Sequence, residues 1–349
     1  MSPEVVIAGR RIGPEHEPYV ICELSGNHNG SLERALALLD AAAATGADAV
    51  KIQTYTADTL TLDCDRPDFR IQGGLWGGRT LHDLYREAHT PYEWHAALFA
   101  RARALGVTLF STPFDETAVA LLESLDAPAY KIASFEAVDL GLIARVARCG
   151  KPMIVSTGLA NLEEIGEAVR TARENGCEEL VLLHCVSAYP APMADANVRT
   201  VPNLAESFGC VGGLSDHTLG TAAAVASVAL GGSVVEKHFT LARADGGPDA
   251  EFSLEPHEFS ALVRDCKDAW RALGRVHYDL KGSERGSLSF RRSLYVVRDV
   301  RAGAPIGPAD VRSIRPGHGL PPKHLEAVLG RVARRDLARG EALAWEMLE

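Results

Sequence analysis

Two histidines occupy matching places in the chain, each at the end of a short apolar run that contains β-branched residues. His217 follows the run 210–215, and His238 ends the run 233–238, with an alanine-rich, helix-compatible segment between them. This order predicts a βαβ unit, in which the carboxyl ends of the two parallel strands lie side by side. The two imidazoles can then converge on one divalent metal. The alternative is that each imidazole satisfies a backbone carbonyl at its strand end.

The kind of metal site follows from the number of ligands. Two neutral imidazoles leave the other coordination positions to water or to substrate oxygens, which is typical of a catalytic site. A closed structural zinc site needs four protein ligands, and the sequence does not offer four at suitable spacing. We therefore expect a divalent metal that acts as a Lewis acid, with Mn²⁺ as the first candidate and Mg²⁺ or Co²⁺ as alternatives.

Two lysines lie inside other apolar runs, where a charged side chain is costly to bury without an anionic partner. Lys51 belongs to the run 49–54, and Lys131 belongs to the run 129–134. One such lysine could extend its charged end to solvent, but two of them favour a ligand with more than one negative charge. Hydroxyl groups near other run ends add donors suited to phosphate: Thr112, Ser134, Ser156 and Ser215. A phosphorylated and carboxylated substrate fits this set.

The elements that must position these residues alternate regularly along the chain. We count eight short apolar runs, and helical periodicity lies between most of them. Eight β/α units over about 250 residues match the size of a (β/α)8 TIM barrel, whose active site lies at the carboxyl ends of its strands. A doubly wound sheet is the alternative, but no GxGxxG turn follows the first strand. Residues 1–275 are therefore predicted to form an N-terminal hairpin and a barrel.

The composition of the chain changes after the last predicted barrel helix. Residues 276–292 are polar and contain several glycines, so they are predicted to form a linker. Residues 293–349 hold short strand-like runs around turns rich in glycine and proline. They are predicted to form a small C-terminal domain that is short for a large core.

The overall composition excludes several classes of protein. The chain is 46% hydrophobic and 23% charged, which is ordinary for a globular protein, and its net charge of −10 gives no support for a nucleic-acid partner. The seven cysteines form no CxxC pair, so they are predicted to be reduced and not to form a disulfide framework. No signal peptide and no apolar run long enough to span a bilayer is recognisable. We expect a cytoplasmic protein without a membrane partner.

Taken together, the motifs resemble those of the sialic acid synthase family, whose members condense phosphoenolpyruvate with an N-acetylated amino sugar. The resemblance spans nearly the whole chain, in the order of the family: CELSGNHNGSLERAL, DAVKIQTY, FSTPFD, YKIAS, KPMIVSTG, LLHCVSAYPAP, GLSDHTLG and VEKHFTL. It implies a metal-dependent TIM barrel followed by an antifreeze-like (SAF) domain that is swapped across a homodimer. The chain departs from the family where Ser187-Ala188-Tyr189-Pro190 stands in place of Asn-Leu-Tyr-Pro.

The resemblance also implies roles for individual residues. The residues implied for phosphoenolpyruvate are Lys51, Thr112, Lys131, Ser134, Ser156, Ser187 and Ser215, and those implied for the metal are His217 and His238. The residues implied for the sugar are Asn27, Gln53, Tyr189, Asp249 and, from the small domain, Arg315. The implied catalytic residues are Glu23, Glu136, Lys51 and Lys131. Either glutamate could instead bind the sugar passively, and Asp249 and Arg315 could be ordinary residues of a turn and of the surface.

The acceptor sugar is the finer question. Several segments resemble the pseudaminic acid synthase branch of the family, above all an insertion at residues 63–91. This branch implies 2,4-diacetamido-2,4,6-trideoxy-L-altrose as the acceptor. The insertion carries Phe69, Trp76 and Tyr85, which could face the sugar or could form a small satellite core.

Other functions remain as alternatives at this stage. An N-acetylneuraminate or legionaminate synthase would use a manno-configured acceptor. A 3-deoxy keto-acid synthase would use a phosphosugar, but the sequence offers no further basic cluster for a second phosphate. A non-catalytic carbohydrate- or ice-binding protein is the remaining alternative from another class.

Overall fold

The computed structural model describes residues 3–349 and divides the chain into two compact units, which meet in sequence between Gly274 and Arg275. A two-stranded antiparallel hairpin opens the larger unit, with β1 at Val5–Ile7 and β2 at Arg10–Ile12. Eight parallel strands follow: β3 (Tyr19–Glu23), β4 (Ala49–Thr54), β5 (Thr108–Pro113), β6 (Tyr130–Ile132), β7 (Met153–Ser156), β8 (Leu180–Cys185), β9 (Val211–Asp216) and β10 (Val234–His238). They pair in sequence order, and β10 closes on β3. The predicted (β/α)8 barrel is therefore confirmed.

Within residues 3–274, ten α-helices lie between or after the barrel strands in the chain. They are α1 (Leu32–Ala44), α2 (Ala57–Leu60), α3 (Leu81–Ala88), α4 (Tyr92–Leu105), α5 (Glu116–Ser124), α6 (Leu140–Ala147), α7 (Leu162–Glu174), α8 (Thr200–Phe208), α9 (Ala222–Ala229) and α10 (Pro256–Leu273). Local sequence fixes several of their ends. Asn161 caps the start of α7 and forms a capping box with Glu164, while Gly106 ends α4 in the left-handed region that glycine favours.

The barrel interior has an apolar lower half. Because side chains alternate along a strand, every second residue points inward. Tyr19, Phe110 and Ile154 fill the interior near the amino ends of the strands, where they pack with Val5 and Ile7 of the hairpin. The outward-facing residues of the same strands pack against the helices in a second, larger core. Polar chemistry is thereby confined to the carboxyl half of the barrel.

The smaller unit has a core of its own. Strand β11 (Ser293–Val296) pairs with β12 (Val311–Ile314) in antiparallel fashion, and the short helix α11 spans Leu325–Val328. Buried aliphatic residues such as Leu294 and Leu343 form its centre. The segment 276–292 groups with this unit and contains the 3-10 helix Gly282–Phe290; its role as a linker remains a prediction. Within residues 3–349, no helix is both long and apolar enough to cross a membrane.

Gly213, in the middle of β9, provides a test of the packing inside the barrel. A Cβ added there would lie 2.3 Å from the Val234 carbonyl oxygen and 2.7 Å from Leu183 Cδ2. We expect Gly213→Ala to lower the free energy of unfolding by about 2 kcal/mol or more, because backbone and packed side chains must shift. Urea denaturation of the purified variant measures this change.

The matched control is Gly166→Ala in α7, where the nearest atom to the added Cβ is the flexible end of Arg170 at 3.3 Å. This variant should unfold at the same or a higher urea concentration, since alanine favours a helix by about 0.5–1 kcal/mol over glycine. Equal stability of Gly213→Ala and wild type would contradict the tight packing of β9 against β10.

Candidate active site

The centre of the site is a cluster of four charged side chains inside the barrel. Lys51 Nζ lies 2.7 Å from Glu23 Oε2 and 3.6 Å from Glu236 Oε1, while Lys131 Nζ lies 3.1 Å from that same Glu236 oxygen. All four side chains are nearly inaccessible, with residue exposures of 1–4%. Lys51 also donates to Thr112 Oγ1 at 3.1 Å. The structure thus brings together Lys51, Lys131, Glu23 and Thr112, which sequence analysis had identified separately.

The cluster shifts the pKa of each group that it contains. Burial works against the charge of Lys51, but Glu23 and Glu236 raise its pKa above the usual value. Burial lowers the pKa of Lys131, and the single contact with Glu236 offsets only part of this effect. Burial also raises the pKa of Glu23 in spite of Lys51 beside it. The two lysines are therefore unequal, since Lys51 is held between two carboxylates and Lys131 beside one.

Sequence analysis did not identify Glu236, although it links the two lysines. It occupies an inward position of β10, two residues before His238, and Ser215 Oγ lies 3.5 Å from its Oε1. Because side chains alternate along a strand, residues 236 and 238 lie on the same face of β10. This alternation is the sequence signal from which Glu236 could have been identified.

Sequence analysis also did not identify Cys185. Burial alone would raise the pKa of its thiol, but His217 lowers it to about 7.

The two predicted metal ligands do meet. The rings of His217 and His238 lie 5.3 Å apart, centroid to centroid. His217 Nδ1 donates to the Val186 carbonyl at 2.9 Å, which leaves Nε2 available, and the buried His238 Nδ1 has no hydrogen-bond partner. Burial lowers the pKa of His238 well below its usual value, so this imidazole is neutral. These nitrogens fit a metal ion.

The described residues offer the two histidines as the candidate ligands. No group of three or more His, Cys, Asp or Glu side chains within residues 3–349 is arranged to hold a metal ion. A metal on the two histidines would therefore keep positions for water or substrate, as expected for an open site. Neither Lys237 nor Asp216 reaches this site. They form a buried ion pair at 2.7 Å between the ends of β9 and β10, and Lys237 also donates to the Thr218 carbonyl, so they fix the loop that carries His217.

The predicted hydroxyl donors form a second group around Gly158. Ser134 Oγ accepts from the Gly158 amide at 3.2 Å, and a Cβ added to Gly158 would lie 2.3 Å from Ser187 Oγ. The buried Ser156 Oγ has no hydrogen-bond partner. The loops after β6 and β8 therefore bring Ser134 and Ser187 together beside Gly158, and strand β7, which precedes this glycine, ends at Ser156. This arrangement can bind an oxyanion.

The predicted sugar contacts divide into those that line the site and those that do not. Gln53 Nε2 donates to Glu23 Oε1 at 2.8 Å and to Ser25 Oγ at 3.0 Å, and Ser25 in turn donates to Asp249. Tyr189 packs on His217 with ring centroids 4.4 Å apart. These contacts place Gln53, Asp249 and Tyr189 around the charged cluster and the histidine pair.

Asn27 and Arg315 are placed differently from the other predicted sugar contacts. Asn27 is fully buried, and its amide donates to the Phe239 carbonyl at 2.8 Å and to Ser253 Oγ at 2.9 Å. Asn27 therefore holds the loop after β10 in place. Its side-chain amide oxygen is buried without a hydrogen-bond partner. Arg315 directly follows β12 in the smaller unit, and its side chain is exposed.

Glu136 stands apart from the charged cluster as a separate acid. It ends the 3-10 helix Ser134–Glu136 after β6, and its Oε2 is buried without a hydrogen-bond partner. Burial raises the pKa of Glu136 to about 7. A carboxyl group with this pKa holds a proton that it can transfer near neutral pH.

The aromatic residues of the insertion have three different environments. Trp76 packs on Tyr189 with ring centroids 5.5 Å apart, so it reaches the site. Tyr85 packs edge-on against Tyr55 at 6.0 Å, and Phe69 ends the 3-10 helix Pro67–Phe69. Only one of the three therefore joins the aromatic group beside the histidines.

Comparison with known proteins gives matches over both units. The NeuB family model matches residues 38–278, and the SAF domain model matches residues 291–349. The pseudaminic acid synthase of Campylobacter jejuni subsp. jejuni serotype O:23/36 (strain 81-176) is 44% identical over 325 residues, which are 93% of this chain and 95% of that protein. The pseudaminic acid synthase of Helicobacter pylori (strain ATCC 700392 / 26695) is 41% identical, covering 95% of this chain and 98% of that protein.

A solved structure is similar as well. The N-acetylneuraminic acid (sialic acid) synthetase from Leptospira borgpetersenii serovar Hardjo-bovis, crystallised in complex with citrate, is 29% identical, with a TM-score of 0.73. The match covers 83% of this chain and 97% of that one. The resemblance to sialic acid synthases and the antifreeze-like C-terminal domain are thereby confirmed.

The raised pKa of Glu136 predicts how stability changes with pH. Between the usual value of 4.5 and about 7, the unfolded chain has lost the proton while the folded protein keeps it. The unfolded state then binds fewer protons, so stability falls as pH rises through this window. Glu136→Gln cannot ionise at this position. We therefore expect its free energy of unfolding, relative to that of wild type, to be roughly 2 kcal/mol higher at pH 8 than at pH 5, after allowance for partial solvent exposure.

Urea denaturation of the ligand-free protein at both pH values measures this difference. Glu206→Gln, at an exposed position of α8, serves as the control and should follow wild type at both values. An unchanged pH dependence in Glu136→Gln would show that Glu136 is ionised in the folded protein.

Proposed function

The chain belongs to the NeuB family, and we propose that it catalyses the reaction of a pseudaminic acid synthase, a transferase reaction. In this proposal it condenses phosphoenolpyruvate with 2,4-diacetamido-2,4,6-trideoxy-L-altrose, giving pseudaminic acid and inorganic phosphate. Similarity over 93–95% of the chain to two proteins of that name carries the proposal. The buried lysine pair and the unpartnered Ser156 hydroxyl, on barrel strands whose carboxyl ends form the site, support an anionic donor.

The donor is proposed to bind between the lysines and the serine hydroxyls. Ser156 Oγ has no hydrogen-bond partner among the described residues, and Ser134 and Ser187 lie beside Gly158, two positions further along the chain. Phosphate oxygens can accept from these hydroxyls, while Lys51 and Lys131 supply positive charge. Thr112 and Ser215 complete this set. Their contacts with Lys51 and Glu236 suggest that they orient the charged groups as well.

Charge balance supports a bound metal. The two lysines and two glutamates of the cluster carry no net charge when all four are ionised. A donor with a phosphate and a carboxylate adds negative charge to a site that excludes water, which is unfavourable without a cation. His217 and His238 would hold that cation, proposed to be Mn²⁺ with Mg²⁺ or Co²⁺ as alternatives. It would supply Lewis-acid polarisation of the acceptor aldehyde.

The protein side chains would then orient the reactants and move protons. The methylene carbon of phosphoenolpyruvate attacks the aldehyde of the open-chain sugar, water adds to the resulting cationic carbon, and the C–O bond to phosphate breaks. Glu136 holds a proton near neutral pH and is therefore the proposed proton donor for the aldehyde oxygen, which becomes a hydroxyl. Glu23, fixed by Lys51 and Gln53, suits the positioning of water or a sugar hydroxyl. Gln53, Tyr189 and Asp249 would contact the sugar.

The smaller unit is proposed to complete the site of a second copy, in a homodimer with exchanged C-terminal domains. Loops at the carboxyl ends of the barrel strands expose large apolar side chains, including Phe135 at 57%, Leu159 at 74% and Leu219 at 60%. Exposed apolar residues grouped at one end of a barrel favour a protein partner. Arg315 of the partner copy would reach the sugar from this side.

The first experiment is phosphate release from phosphoenolpyruvate, measured after chelation and separate addition of Mn²⁺, Mg²⁺ or Co²⁺. The acceptors are the L-altrose sugar, its D-manno counterpart 2,4-diacetamido-2,4,6-trideoxy-D-mannose, and N-acetylmannosamine. We expect metal-dependent release with the L-altrose sugar. Release with only a manno-configured sugar would contradict the L-altrose assignment. A manno-configured acceptor is the second candidate because the chain is 29% identical to a sialic acid synthetase. No release with any of them would favour a carbohydrate-binding protein.

Domain exchange predicts complementation between two inactive variants. Lys131→Ala lacks a barrel residue and Arg315→Ala lacks a residue of the smaller unit, so each alone should lose activity. In mixed dimers formed by co-expression, an exchanged domain with Arg315 covers a barrel with Lys131, which restores one of two sites. About a quarter of wild-type activity should therefore return when the two chains pair at random. Activity no greater than the average of the two separate variants would contradict exchange.

A further inference from the structure

We propose that Trp76 is a positioning residue of the acceptor subsite, because it ties the insertion to the two loops that carry Tyr189 and Asp249. The inference rests on the proposed function, since it concerns the sugar that this function assigns. Through this one side chain, the insertion can influence the position of the two loops.

The first contact of Trp76 is a hydrogen bond to the loop after β10. Its indole N–H donates to the Pro248 carbonyl at 2.8 Å, and indole nitrogen can only donate, so the direction of the bond is fixed. Pro248 immediately precedes Asp249, which accepts from Ser25 and lies 3.9 Å from His238 Nδ1. A shift of Pro248 would therefore move a carboxylate that faces the site.

The second contact is aromatic. The Trp76 ring packs on Tyr189 at 5.5 Å and an interplanar angle of 50°. Tyr189 in turn packs on His217 at 4.4 Å and on Phe252 at 5.3 Å. A continuous series of rings thus runs from the insertion to the histidine pair. Aromatic pairs at these separations attract each other beyond simple burial of area.

Trp76 lies in a mostly exposed part of the insertion. Residues 71–79 form a hairpin-like loop, in which the Ile71 and Gly78 amides donate to the Arg79 and Ile71 carbonyls. Trp76 lies near the tip of this loop, and most residues around it are exposed, including Leu75. Gly73, Gly74 and Gly78 adopt positive φ, so the loop backbone is glycine-rich and weakly restrained. Trp76 is half-buried and makes this loop's contacts with Tyr189 and Pro248, whereas Arg79, at the base of the loop, pairs with Asp83 and Glu87 of α3.

These contacts reach the two loops that carry the proposed acceptor residues Tyr189 and Asp249, whereas most residues proposed for the donor lie elsewhere. The lysines and Ser156 project from strands β4, β6 and β7, and Trp76 has no hydrogen bond or ring contact with them. Loss of Trp76 should therefore weaken sugar binding and leave the donor site intact. A general loss of folding would instead affect both substrates, so the two Michaelis constants separate a positioning role from a structural one.

Two substitutions separate the two contacts of Trp76. Trp76→Phe keeps a ring against Tyr189 but cannot donate to Pro248, and Trp76→Ala loses both contacts. We expect the acceptor KM to rise about threefold in Trp76→Phe and roughly tenfold in Trp76→Ala, with the phosphoenolpyruvate KM within about twofold of wild type. Leu75→Ala, at the exposed neighbouring position, is the control and should match wild type in both constants.

Limited proteolysis provides a readout that does not depend on catalysis. Residues 71–79 should be cut faster in Trp76→Ala than in wild type or Leu75→Ala, because the loop has lost its attachment. An unchanged acceptor KM in Trp76→Ala, or an equal rise in both KM values, would overturn the positioning role. If wild type uses none of the acceptors, the proposed function fails and the acceptor role of Trp76 fails with it. Equal cleavage of all variants would instead show that Trp76 does not attach the loop 71–79.

Discussion

Two lysines and two glutamates pair inside the barrel where water is almost excluded, and this arrangement constrains the structure around it. An isolated charge there would be strongly unfavourable, and removal of one member of a buried pair typically costs about 3–5 kcal/mol. Glu236 is central because one of its oxygens contacts both lysines. Four strands contribute the charges, so the closed barrel must hold its register for the cluster to form.

The apolar half of the barrel makes this arrangement possible. Tyr19, Phe110 and Ile154 fill the interior below the charges, and the hairpin packs beneath them. Water is thereby kept from one side of the cluster, while the other side faces the loops. Two carboxyl groups then have different environments. Glu23 is held by Lys51, whereas Glu136 has no cationic partner and keeps its proton to about pH 7. Burial raises the pKa of both carboxyl groups, but only Glu23 has a lysine in contact that favours its ionised form.

Sequence pattern was sufficient for the barrel and for much of the site because both depend on short-range order. Each of the eight apolar runs became a strand, and Lys51 and Lys131 were recognisable as charges inside such runs. The pairing of His217 with His238 followed from their equivalent places on adjacent strands. Asn27 could not be judged in this way. Its side chain is bonded to Phe239 and Ser253, more than two hundred residues away, and no local pattern shows that its amide is already engaged.

Some groups of the site lie on strands and others lie on loops, and this difference explains which of them the sequence predicted. Most groups proposed for the donor, including Lys51, Lys131 and Ser156, project from strands, whose spacing is regular, and so their convergence follows from the barrel alone. The acceptor groups depend on loops, where Trp76 meets Pro248 across 172 positions of sequence and Tyr189 through a ring contact. These contacts depend on loop conformation, which periodicity does not specify. A barrel can therefore keep one donor site while its loops define different acceptor pockets, and the substrate must be inferred from the loops.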